Sequence, residues 1–433
     1  MYAAAQQTWD ERARLAHQDA RFSALTQLLS KQNRFYQAKW SGLKGGPLNL
    51  ERLRELPFTL KSELLDDQRR HGPFGTNLTY PLERYVRFHQ TSGTSGVPLR
   101  VLDTWECWNW WAECWRVILD AAEVGPGDRV MLAFSFGPFV GFWSGHEAIQ
   151  RHGALALTGG GMSSLQRLAM MRDLEATVLI CTPSYALHLG EIARSEGIDP
   201  ARELKVRTTI HAGEPGAGIP ATRERIESIW GAQCFDHPGA SEIGAYGFSC
   251  SARNGVHIHE AEFIAEVIDP DTGEPAAPGD TGELVMTNLG RTGFPVVRYR
   301  SGDIVRPVPR RRCSCGRTSL FLEGGILGRR DDMVTIRGVN VFHSAFLALF
   351  NEMPDLGEHR LTVYQTRSMD QLHVEYEELS SSRGTDAIVN LIREKLGIRV
   401  TVQAHAPGAL PRFEAKARRF HDRRREGWLP PDL

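Results

Sequence analysis

The sequence lacks any uninterrupted run of about 20 apolar residues, the length that a membrane-spanning helix needs. Its most apolar segment, residues 130–143, is shorter and is broken by Gly137, Pro138 and Gly141. The N-terminal residues carry early acidic side chains and no apolar stretch, so they do not have the pattern of a secretion signal. These absences argue against both membrane insertion and export.

The chain has no excess of charge of either sign. Its 433 residues include 51 Lys and Arg against 52 Asp and Glu, which excludes whole-chain electrostatics as a basis for binding nucleic acid or membranes. Cysteine is scarce, and the 7 Cys residues are an odd number spread widely along the chain. This usage fits a reducing compartment better than a disulfide framework, so we expect a cytoplasmic protein.

The length predicts two or three domains, at roughly 150 residues per domain. In the middle of the chain, apolar strands alternate with helical segments; the predicted strands are residues 129–134, 154–157, 177–181, 206–211 and 232–235. This rhythm is typical of an α/β fold whose parallel sheet is covered by helices on both faces. Turn-rich sequence at about 250–329 predicts a β-rich subdomain, and a small α+β unit is expected from about residue 330.

The first chemical signal is a loop in which residues with hydroxyl groups alternate with glycines: Thr91, Ser92, Gly93, Thr94, Ser95 and Gly96. Backbone N–H and side-chain O–H groups can approach a ligand together in such a loop, which suits a polyphosphate. It is not the common P-loop, because no Gly-Lys-Ser/Thr follows it. An ordinary Ser/Gly turn is the alternative interpretation.

Two acidic turns follow predicted strands of the sheet. One is His211-Ala212-Gly213-Glu214-Pro215, and the other runs from Asp236 through Gly239 to Glu242. Ligands of parallel α/β sheets gather at the carboxyl ends of the strands, so Glu242 is well placed to hold a cation on phosphate. Helix-capping carboxylates in ordinary loops would produce the same pattern.

The chain resembles the adenylate-forming superfamily of acyl-CoA synthetases over about residues 56–416, because its motifs follow the family's order: TSGTSGVP, HAGEP, GASE, YRSGD, GRRDDM, RGVNVF and a late lysine. Three segments further resemble the phenylacetate-CoA ligase branch: LPFTLKSEL, CSCGR and DDMVTIRGVNVF. The resemblance implies a large N-terminal adenylation domain (1–329) and a small mobile C-terminal α+β domain (330–433).

The resemblance also assigns roles to single residues. It implies that the loop of residues 91–96 holds the ATP phosphates, with Thr94 catalytic, and that the other nucleotide contacts are Gly213, Glu214, Pro215, Asp236, Asp303 and Arg329. Asp236 matches the acid that accepts a hydrogen bond from the adenine amino group, and Asp303 matches the acid that binds the ribose hydroxyls. Glu242 matches the Mg²⁺-binding glutamate, Lys416 the lysine of the adenylation step and Asp331 the hinge.

Several positions depart from the family's pattern. The phosphate loop has Val97 and Leu99 where relatives often carry a lysine, and Arg100 is the nearest cation in the sequence. Pro238 stands where an adenine-stacking tyrosine is common, and His343 stands where proline is usual. These departures suggest a specialised relative.

Three cysteines and a histidine form a candidate metal site: Cys250, His257, Cys313 and Cys315. They offer three thiolates and an imidazole, a closed donor set for structural Zn²⁺. The resemblance supports zinc, because relatives carry this CxCG element with a zinc ion. His259 is the alternative ligand, although strand alternation directs it away from His257. Reduced thiols without a metal are the alternative interpretation.

The aromatic loop after the first predicted strand of the sheet resembles the family's acyl-pocket wall. Phe136 and Phe139 are its candidate residues, and the resemblance adds three at the strand ends: His211, Ala212 and Gly239. Aromatic side chains there would pack against a flat ring. Core packing is the alternative for both phenylalanines.

A tryptophan stripe precedes this loop at helical spacing: Trp105, Trp108, Trp111 and Trp115. Asp103 and Glu106 have the spacing of a capping box at its start. We interpret the stripe as core or interface.

The resulting prediction is ATP-dependent activation of an aromatic acid to an acyl-adenylate, followed by transfer to CoA. The alternatives are a biosynthetic ligase for aromatic natural products that passes the aryl group to a carrier protein, amine or phenol, and a non-enzymatic nucleotide-binding or zinc-dependent interaction protein. The expected cofactors are ATP, Mg²⁺, CoA and structural Zn²⁺. We expect no nucleic-acid or membrane partner, and a homodimer is a possible assembly.

Overall fold

The computed structural model of the chain describes residues 8–91, 97–134, 136–277, 279–330, 333–336, 339–353, 355–366, 369–379, 384–412, 419–424 and 426–431. Within these ranges the helices are α1 (Glu11–Gln32), α2 (Arg34–Lys39), α3 (Lys61–Arg70), α4 (Trp105–Ala121), α5 (Val140–His152), α6 (Ser164–Asp173), α7 (Pro183–Ser195), α8 (Pro200–Glu203), α9 (Pro220–Trp230), α10 (His343–Asn351) and α11 (Thr385–Leu396). None of these described helices is long and apolar enough to cross a membrane.

The strands are β1 (Tyr85–Gln90), β2 (Arg100–Thr104), β3 (Arg129–Leu132), β4 (Leu155–Thr158), β5 (Val178–Cys181), β6 (Thr208–His211), β7 (Gln233–Asp236), β8 (Gly247–Phe248), β9 (Gly255–Ile258), β10 (Phe263–Ile268), β11 (Gly282–Asn288), β12 (Tyr299–Pro307), β13 (Phe321–Arg329), β14 (Met333–Ile336), β15 (Val339–Phe342), β16 (Leu356–Thr366), β17 (Met369–Glu378), β18 (Thr401–His405) and β19 (Phe420–Asp422).

A parallel sheet with the spatial order β4-β3-β5-β6-β7 lies at the centre of the fold. Alternate side chains of its strands enter two separate cores. Val130 and Ile180 pack with α4 and α5, whereas Met131 and Leu179 pack with α6, α7 and α9. Helices therefore cover both faces of the sheet, which confirms the predicted α/β class and explains why every residue of β5 is buried.

Local sequence determines where the helices around this sheet begin and end. α6 begins after Ser163, whose hydroxyl accepts the Gln166 N–H while the Gln166 side chain accepts the Ser163 N–H. α7 starts with Pro183, which needs no helical N–H partner at that position. α5 and α9 end at Gly153 and Gly231, whose φ angles of 88° and 61° suit a residue without a Cβ atom. These ends set the loops that surround the strand termini.

An antiparallel sheet with the order β10-β11-β12-β13-β9-β8 packs against the first. Leu284, Met286 and Val305 from this sheet share one core with α4 and with the strands of the parallel sheet. This arrangement confirms the predicted β-rich part of the fold. It also brings β12 and β13 close to the turn that follows β7.

The C-terminal part contains an antiparallel β16–β17 hairpin, which is extended by parallel pairing with β19 on one side and β18 on the other. It has its own core, in which Phe346 and Ile392 from helices pack against Leu361 and Val374 from strands. The sequence pattern predicted a small α+β unit here, which these helices and strands confirm. It missed β19, because that strand has three residues and pairs with a segment distant in sequence.

Three of the four tryptophans in the predicted stripe belong to the core. Trp108, Trp111 and Trp115 are each 2% exposed or less, whereas Trp105 is 54% exposed at the first position of the helix. The prediction of a core stripe is therefore correct from the second member onward.

The predicted capping of α4 by Asp103 is wrong. Thr104 is the N-cap, and its hydroxyl accepts the Cys107 N–H. Asp103 lies in β2 and forms a fully buried, two-pronged ion pair with Arg291, with N···O distances of 2.7 and 2.6 Å. A buried carboxylate without this partner would be strongly unfavourable, so the arginine takes precedence over the helix terminus.

Candidate active site

Three buried side chains lie next to each other where neighbouring parallel strands end. Cys181 closes β5, His211 closes β6 and Asp236 closes β7, and the strand register pairs Cys181 with His211 and His211 with Asp236. His211 Nδ1 lies 3.2 Å from the Cys181 carbonyl oxygen, whereas His211 Nε2 is buried without a hydrogen-bond partner. Polar groups at this edge are typical of a ligand site in a parallel α/β sheet.

Burial controls the charge of these side chains. It raises the pKa of Asp236 to about 7, against the opposing effect of the His237 N–H. It lowers the pKa values of His211 and His237 to about 4, so both imidazoles are neutral at neutral pH. Backbone passes close to the Asp236 carboxyl: a Cβ at Gly218 or Gly325 would lie 2.8 or 2.9 Å from its Oδ2 atom. Glycine at both positions permits this close approach of the backbone to the carboxyl group.

Glu242 lies in the turn after β7 and is held by groups from distant parts of the chain. The Tyr299 hydroxyl donates to Glu242 Oε1 at 2.7 Å, and Lys61 Nζ lies 3.7 Å from the same oxygen. Burial by itself raises the pKa of Glu242, but Lys61, the Tyr299 hydroxyl and Arg329 outweigh it and hold the pKa below its usual value. The carboxylate is thus ionised at neutral pH, and it fits the single carboxylate ligand that Mg²⁺ on a polyphosphate commonly uses.

Asp303 and Arg329 face each other from the paired strands β12 and β13. Arg329 Nη1 lies 3.3 Å from Asp303 Oδ1, and the Tyr246 hydroxyl donates to Asp303 Oδ2 at 3.0 Å. Gly302 precedes Asp303 with a φ of 77°, and a Cβ there would lie 3.1 Å from Arg329 Nη2. The glycine therefore permits the close approach that pairs the two charges.

Two buried tyrosines connect the three acids of this region. Burial and then the carboxylates of Asp303 and Asp236 raise the pKa of Tyr246 well above its usual value. Burial and then the carboxylates of Glu242 and Asp303 do the same for Tyr299. The structure therefore brings the predicted acids Asp236, Glu242 and Asp303 to one site.

Glu214 has a structural partner of its own. Its Oε1 atom accepts the Ser184 N–H at 2.9 Å and also the Ser184 hydroxyl, which caps the first turn of α7. This is the helix-capping alternative that the sequence had left open. Gly213 has a φ of 96° and turns the chain just before it. The contact of residues 213–215 with a base stays a prediction.

The structure describes the base of the predicted phosphate loop. The Thr91 N–H donates to the Leu99 carbonyl and the Leu99 N–H donates to Thr91 Oγ1, both at 3.0 Å. Arg100 Nη1 donates to the Pro73 carbonyl at 2.9 Å on the protein surface. Other predicted site residues lie outside the described part of the chain: Ser92, Gly93, Thr94, Ser95, Gly96, Asp331 and Lys416.

Phe136 belongs to an aromatic cluster that follows β3. Its ring centroid lies 5.6 Å from that of Phe134 and 4.8 Å from that of Trp143. A Cβ at Gly160, in the loop after β4, would lie 2.8 Å from the Phe136 ring. Phe139 is 37% exposed and has no ring contact with another described aromatic residue. The structure therefore places Phe136, but not Phe139, in an aromatic cluster that packs against the core, as the core-packing alternative expected.

The other predicted acyl-pocket residues lie near the strand ends. Ala212 directly follows His211 at the end of β6, and a Cβ at Gly239 would lie 3.4 Å from the His237 ring. The edge of Trp115 approaches His237, with 4.4 Å between ring centroids. Helix α4 thus reaches this side of the sheet.

The structure brings the four predicted metal ligands together: Cys250, His257, Cys313 and Cys315. One donor atom from each residue lies within 4.8 Å of the donor atoms of the other three. The Sγ atoms of Cys250 and Cys313 are 3.8 Å apart, and Cys315 Sγ lies 3.5 Å from His257 Nε2. Zinc–sulfur bonds of about 2.3 Å and zinc–nitrogen bonds of about 2.1 Å at tetrahedral angles give edges of about 3.8 and 3.6 Å. The donor set therefore has both the chemistry and the spacing of a zinc site.

Neighbouring residues orient the histidine of this cluster. Ser319 Oγ lies 3.1 Å from His257 Nδ1, which leaves Nε2 facing the cysteines. Burial, followed by the charge of Arg317, lowers the pKa of His257 to about 4, so the imidazole is neutral. His259 points elsewhere, with its ring centroid 6.2 Å from that of Phe263.

Sequence reasoning missed several residues that shape the site. Lys61 falls in LPFTLKSEL, a segment that was noted but given no role. Arg291 also went unnoticed, although its Nη1 atom donates to the Ser241 carbonyl at 2.5 Å and its pairing with Asp103 fixes the turn before Glu242. Only the position of Lys61 in a family-like segment was a signal in the sequence.

Comparisons with known proteins show which proteins the chain is similar to. A family model described as the AMP-binding enzyme C-terminal domain matches residues 338–424. The phenylacetate-coenzyme A ligase of Pseudomonas putida is 33% identical, over 87% of this chain and 85% of that protein. The phenylacetate-coenzyme A ligase of Thermus thermophilus is also 33% identical, over 87% of this chain and 88% of that protein.

Solved structures of a 2-hydroxyisobutyryl-CoA ligase are similar to the chain at 29% identity. Its postadenylation state in complex with R3-HIB-AMP superposes with a TM-score of 0.91, covering 98% of this chain and 92% of the other. Its thioesterification state in complex with 2-HIB-AMP and CoA superposes with a TM-score of 0.73, covering 98% and 94%. The structure of this chain is therefore more similar to the postadenylation state of that ligase than to its thioesterification state.

Proposed function

Because the chain belongs to the phenylacetate-coenzyme A ligase family of AMP-forming ligases, we propose that it activates an aromatic carboxylic acid with ATP and transfers the acyl group to coenzyme A. The observation that carries this proposal is the convergence of Asp236, Glu242 and Asp303 where β12 and β13 approach the end of β7. Three carboxyl groups there match the needs of adenine, a phosphate-bound cation and a ribose.

The adenylation step requires stabilisation of negative charge on the α-phosphate. Mg²⁺ bound at Glu242 would supply a Lewis acid to the phosphate oxygens. Asp236 would accept a hydrogen bond from the adenine amino group and Asp303 would accept hydrogen bonds from the ribose hydroxyls. Lys416 would place its ammonium beside the attacking carboxylate, and the loop of residues 91–96, with Thr94, would donate to the departing phosphates.

We propose an aromatic substrate because of the aromatic cluster around Phe136, which would form one wall of the acyl pocket. An aryl ring gains from edge or offset contacts with aromatic side chains, and Phe134, Phe136 and Trp143 present three of them. The small residues Ala212 and Gly239 at the strand ends would leave room for a flat ring. The neutral imidazole of His211 lies at the same edge of the sheet.

We further propose that the small C-terminal domain, from about residue 330, turns about Asp331 between two half-reactions. Acyl-adenylates hydrolyse readily, so a domain that covers the site and then exchanges catalytic groups protects the intermediate. The better superposition on the postadenylation state of the relative supports this view, since the same relative also exists in a second arrangement.

We also propose that Zn²⁺ bound by the Cys250 cluster is structural. Four protein ligands fill a tetrahedral site and leave no open position for substrate. The 3.8 and 3.5 Å spacings between donor atoms support the assignment.

All seven cysteines lie within the described residues and none forms a disulfide, which supports a reducing, cytoplasmic location.

The test is pyrophosphate release across a panel of acids, with thioester identified by mass spectrometry in the presence and absence of CoA. The panel contains benzoate, hydroxybenzoates, aminobenzoates, arylacetates, 2-hydroxyisobutyrate and decanoate. We expect the highest kcat/KM for an aryl acid and the formation of its CoA thioester. Preference for 2-hydroxyisobutyrate or decanoate would contradict the aromatic assignment. Pyrophosphate release without thioester would contradict CoA as the acceptor.

A further inference from the structure

The predicted phosphate loop lacks a lysine, and the structure shows where another cation lies. Val97 and Leu99 occupy the positions at which a basic side chain would be expected, and the guanidinium of Arg100 is bound to the Pro73 carbonyl at the surface. A polyphosphate at this loop therefore needs positive charge from elsewhere in the chain.

We propose that Lys61 supplies this charge and binds the β- and γ-phosphates of ATP, an inference that rests on the proposed adenylation reaction. Lys61 Nζ lies 3.7 Å from Glu242 Oε1, the carboxylate assigned to the phosphate-bound cation. This separation is an ion pair but exceeds a hydrogen bond, so the ammonium keeps donors for phosphate oxygens. Its side chain is 35% exposed and therefore open to a ligand.

The backbone holds Lys61 in this position. Thr59, two residues earlier, forms a parallel bridge with Tyr299: its N–H donates to the Arg298 carbonyl at 2.9 Å and its carbonyl accepts the Arg300 N–H at 3.0 Å. Tyr299 is also the residue that donates to Glu242. The same short ladder therefore positions both the lysine and the carboxylate.

Helix α3 then connects this point to the base of the phosphate loop. Lys61 is its first residue, and Gln68 lies in its last part. The Gln68 side-chain amide accepts the Arg100 N–H at 3.1 Å and donates to the Arg100 carbonyl at 2.6 Å. The helix thus spans from Glu242 to the strand that closes the loop at Leu99. Lys61 at its start lies beside the carboxylate, and Gln68 near its other end contacts the strand that follows the loop.

The test measures the binding of ATP and of AMP by calorimetry, without any acid substrate, in Mg²⁺ and again in EDTA. Removing one charged hydrogen-bond donor is expected to weaken ATP binding about 10- to 100-fold in Lys61→Met, with partial recovery in Lys61→Arg. AMP lacks the β- and γ-phosphates, so its affinity should not change. Persistence of the loss in EDTA would show that the ammonium acts on ATP directly.

Lys39→Met is the matched control, because Lys39 also pairs with a carboxylate of α3, Glu63, and forms no ion pair with Glu242 among the described residues. We expect it to leave ATP affinity unchanged. Equal losses for ATP and AMP in Lys61→Met would indicate a structural role and overturn the proposal, as would unchanged ATP affinity. A parent protein that bound no ATP would instead refute the proposed function itself.

Conversion of synthetic acyl-AMP and CoA to thioester gives an independent readout. No pyrophosphate takes part in this half-reaction, so Lys61→Met should retain the parent rate while pyrophosphate release from ATP and acid falls. Slowing of both half-reactions by the same factor would contradict a role restricted to the β- and γ-phosphates.

Discussion

Asp236 illustrates how much a single buried carboxyl group contributes to this molecule. It lies at the end of β7 between glycine backbones, and burial raises its pKa from an ordinary value of 3.8 to about 7. In the window between these two values, the folded protein holds a proton that the unfolded chain has released. The contribution of Asp236 to the free energy of unfolding therefore falls as the pH rises from about 4 to 7.

We predict that Asp236→Asn removes this contribution. Three pKa units at about 1.36 kcal/mol each set an upper limit of about 4 kcal/mol. Urea denaturation at several pH values from 4.5 to 7.5 would measure the difference in unfolding free energy between parent and variant. His211 and His237, with pKa values lowered to about 4, act in the opposite direction, but equally in both proteins. Parallel stability curves for the two proteins would contradict the raised pKa.

We predict that Phe136→Ala lowers kcat/KM for the best aryl acid by 1–3 kcal/mol, about 5- to 150-fold, because the acid loses a ring contact. Phe139→Ala should have a much smaller effect, since Phe139 is 37% exposed and outside the aromatic cluster. Steady-state kinetics with both variants would test this. An equal loss in the two variants would show that the pocket wall has been placed wrongly.

At the scale of elements, the loop between β12 and β13 contains two of the four proposed zinc ligands, Cys313 and Cys315. The Cys313 N–H donates to the Arg317 carbonyl and the Gly316 N–H donates to the Cys313 carbonyl, which forms a tight turn. This turn lies beside β9, with Cys315 Sγ 3.5 Å from His257 Nε2. Coordination through Cys313 and Cys315 to Cys250 and His257 would attach it there.

We predict about one Zn²⁺ per chain in protein purified without added metal, and loss of that metal in Cys313→Ser. The melting temperature should fall by about 2–4 °C for each kcal/mol of lost stability. Ser314→Ala, within the same turn, is the control that should retain both metal and stability. Full zinc content in Cys313→Ser would remove Cys313 from the ligand set.

At the scale of the whole molecule, α10 of the C-terminal part lies against α9 beside the parallel sheet. The Asn351 side-chain amide donates to Thr222 Oγ1 at 2.7 Å and accepts from Arg225 Nη1 at 3.2 Å. Arg225 in turn lies 3.6 Å from Glu191 on α7. These polar contacts belong to the arrangement that superposes best on the postadenylation state of the relative.

We predict that Asn351→Ala disfavours this arrangement. Loss of two hydrogen bonds of about 1 kcal/mol each would slow pyrophosphate release by about 5- to 30-fold. Thioester formation from synthetic acyl-AMP should be unchanged or faster, because the alternative arrangement becomes easier to reach. Single-turnover measurements of the two half-reactions would separate these effects. Equal slowing of both would mean that Asn351 contributes only to stability.

The sequence by itself determined the fold class and the order of the motifs. Apolar strands alternating with helices, Pro at helix starts and Gly at helix ends are local properties, so the parallel sheet and its covering helices could be predicted from them. The four candidate zinc ligands could also be predicted as a group, because Cys313 and Cys315 lie close together in sequence, and the structure brings all four together.

Only the tertiary structure decided which polar groups meet. Nothing near Lys61 in sequence indicates that it faces Glu242, and nothing near Asp103 indicates Arg291 as its partner. The carboxylate of Glu214 could have capped a helix or faced a ligand. Only the position of α7 showed that it accepts hydrogen bonds from Ser184 in the first turn of that helix. Hydrophobic periodicity specifies which face of each element is buried, whereas the pairing of charges depends on the register between distant segments. That register is set by packing of the whole core.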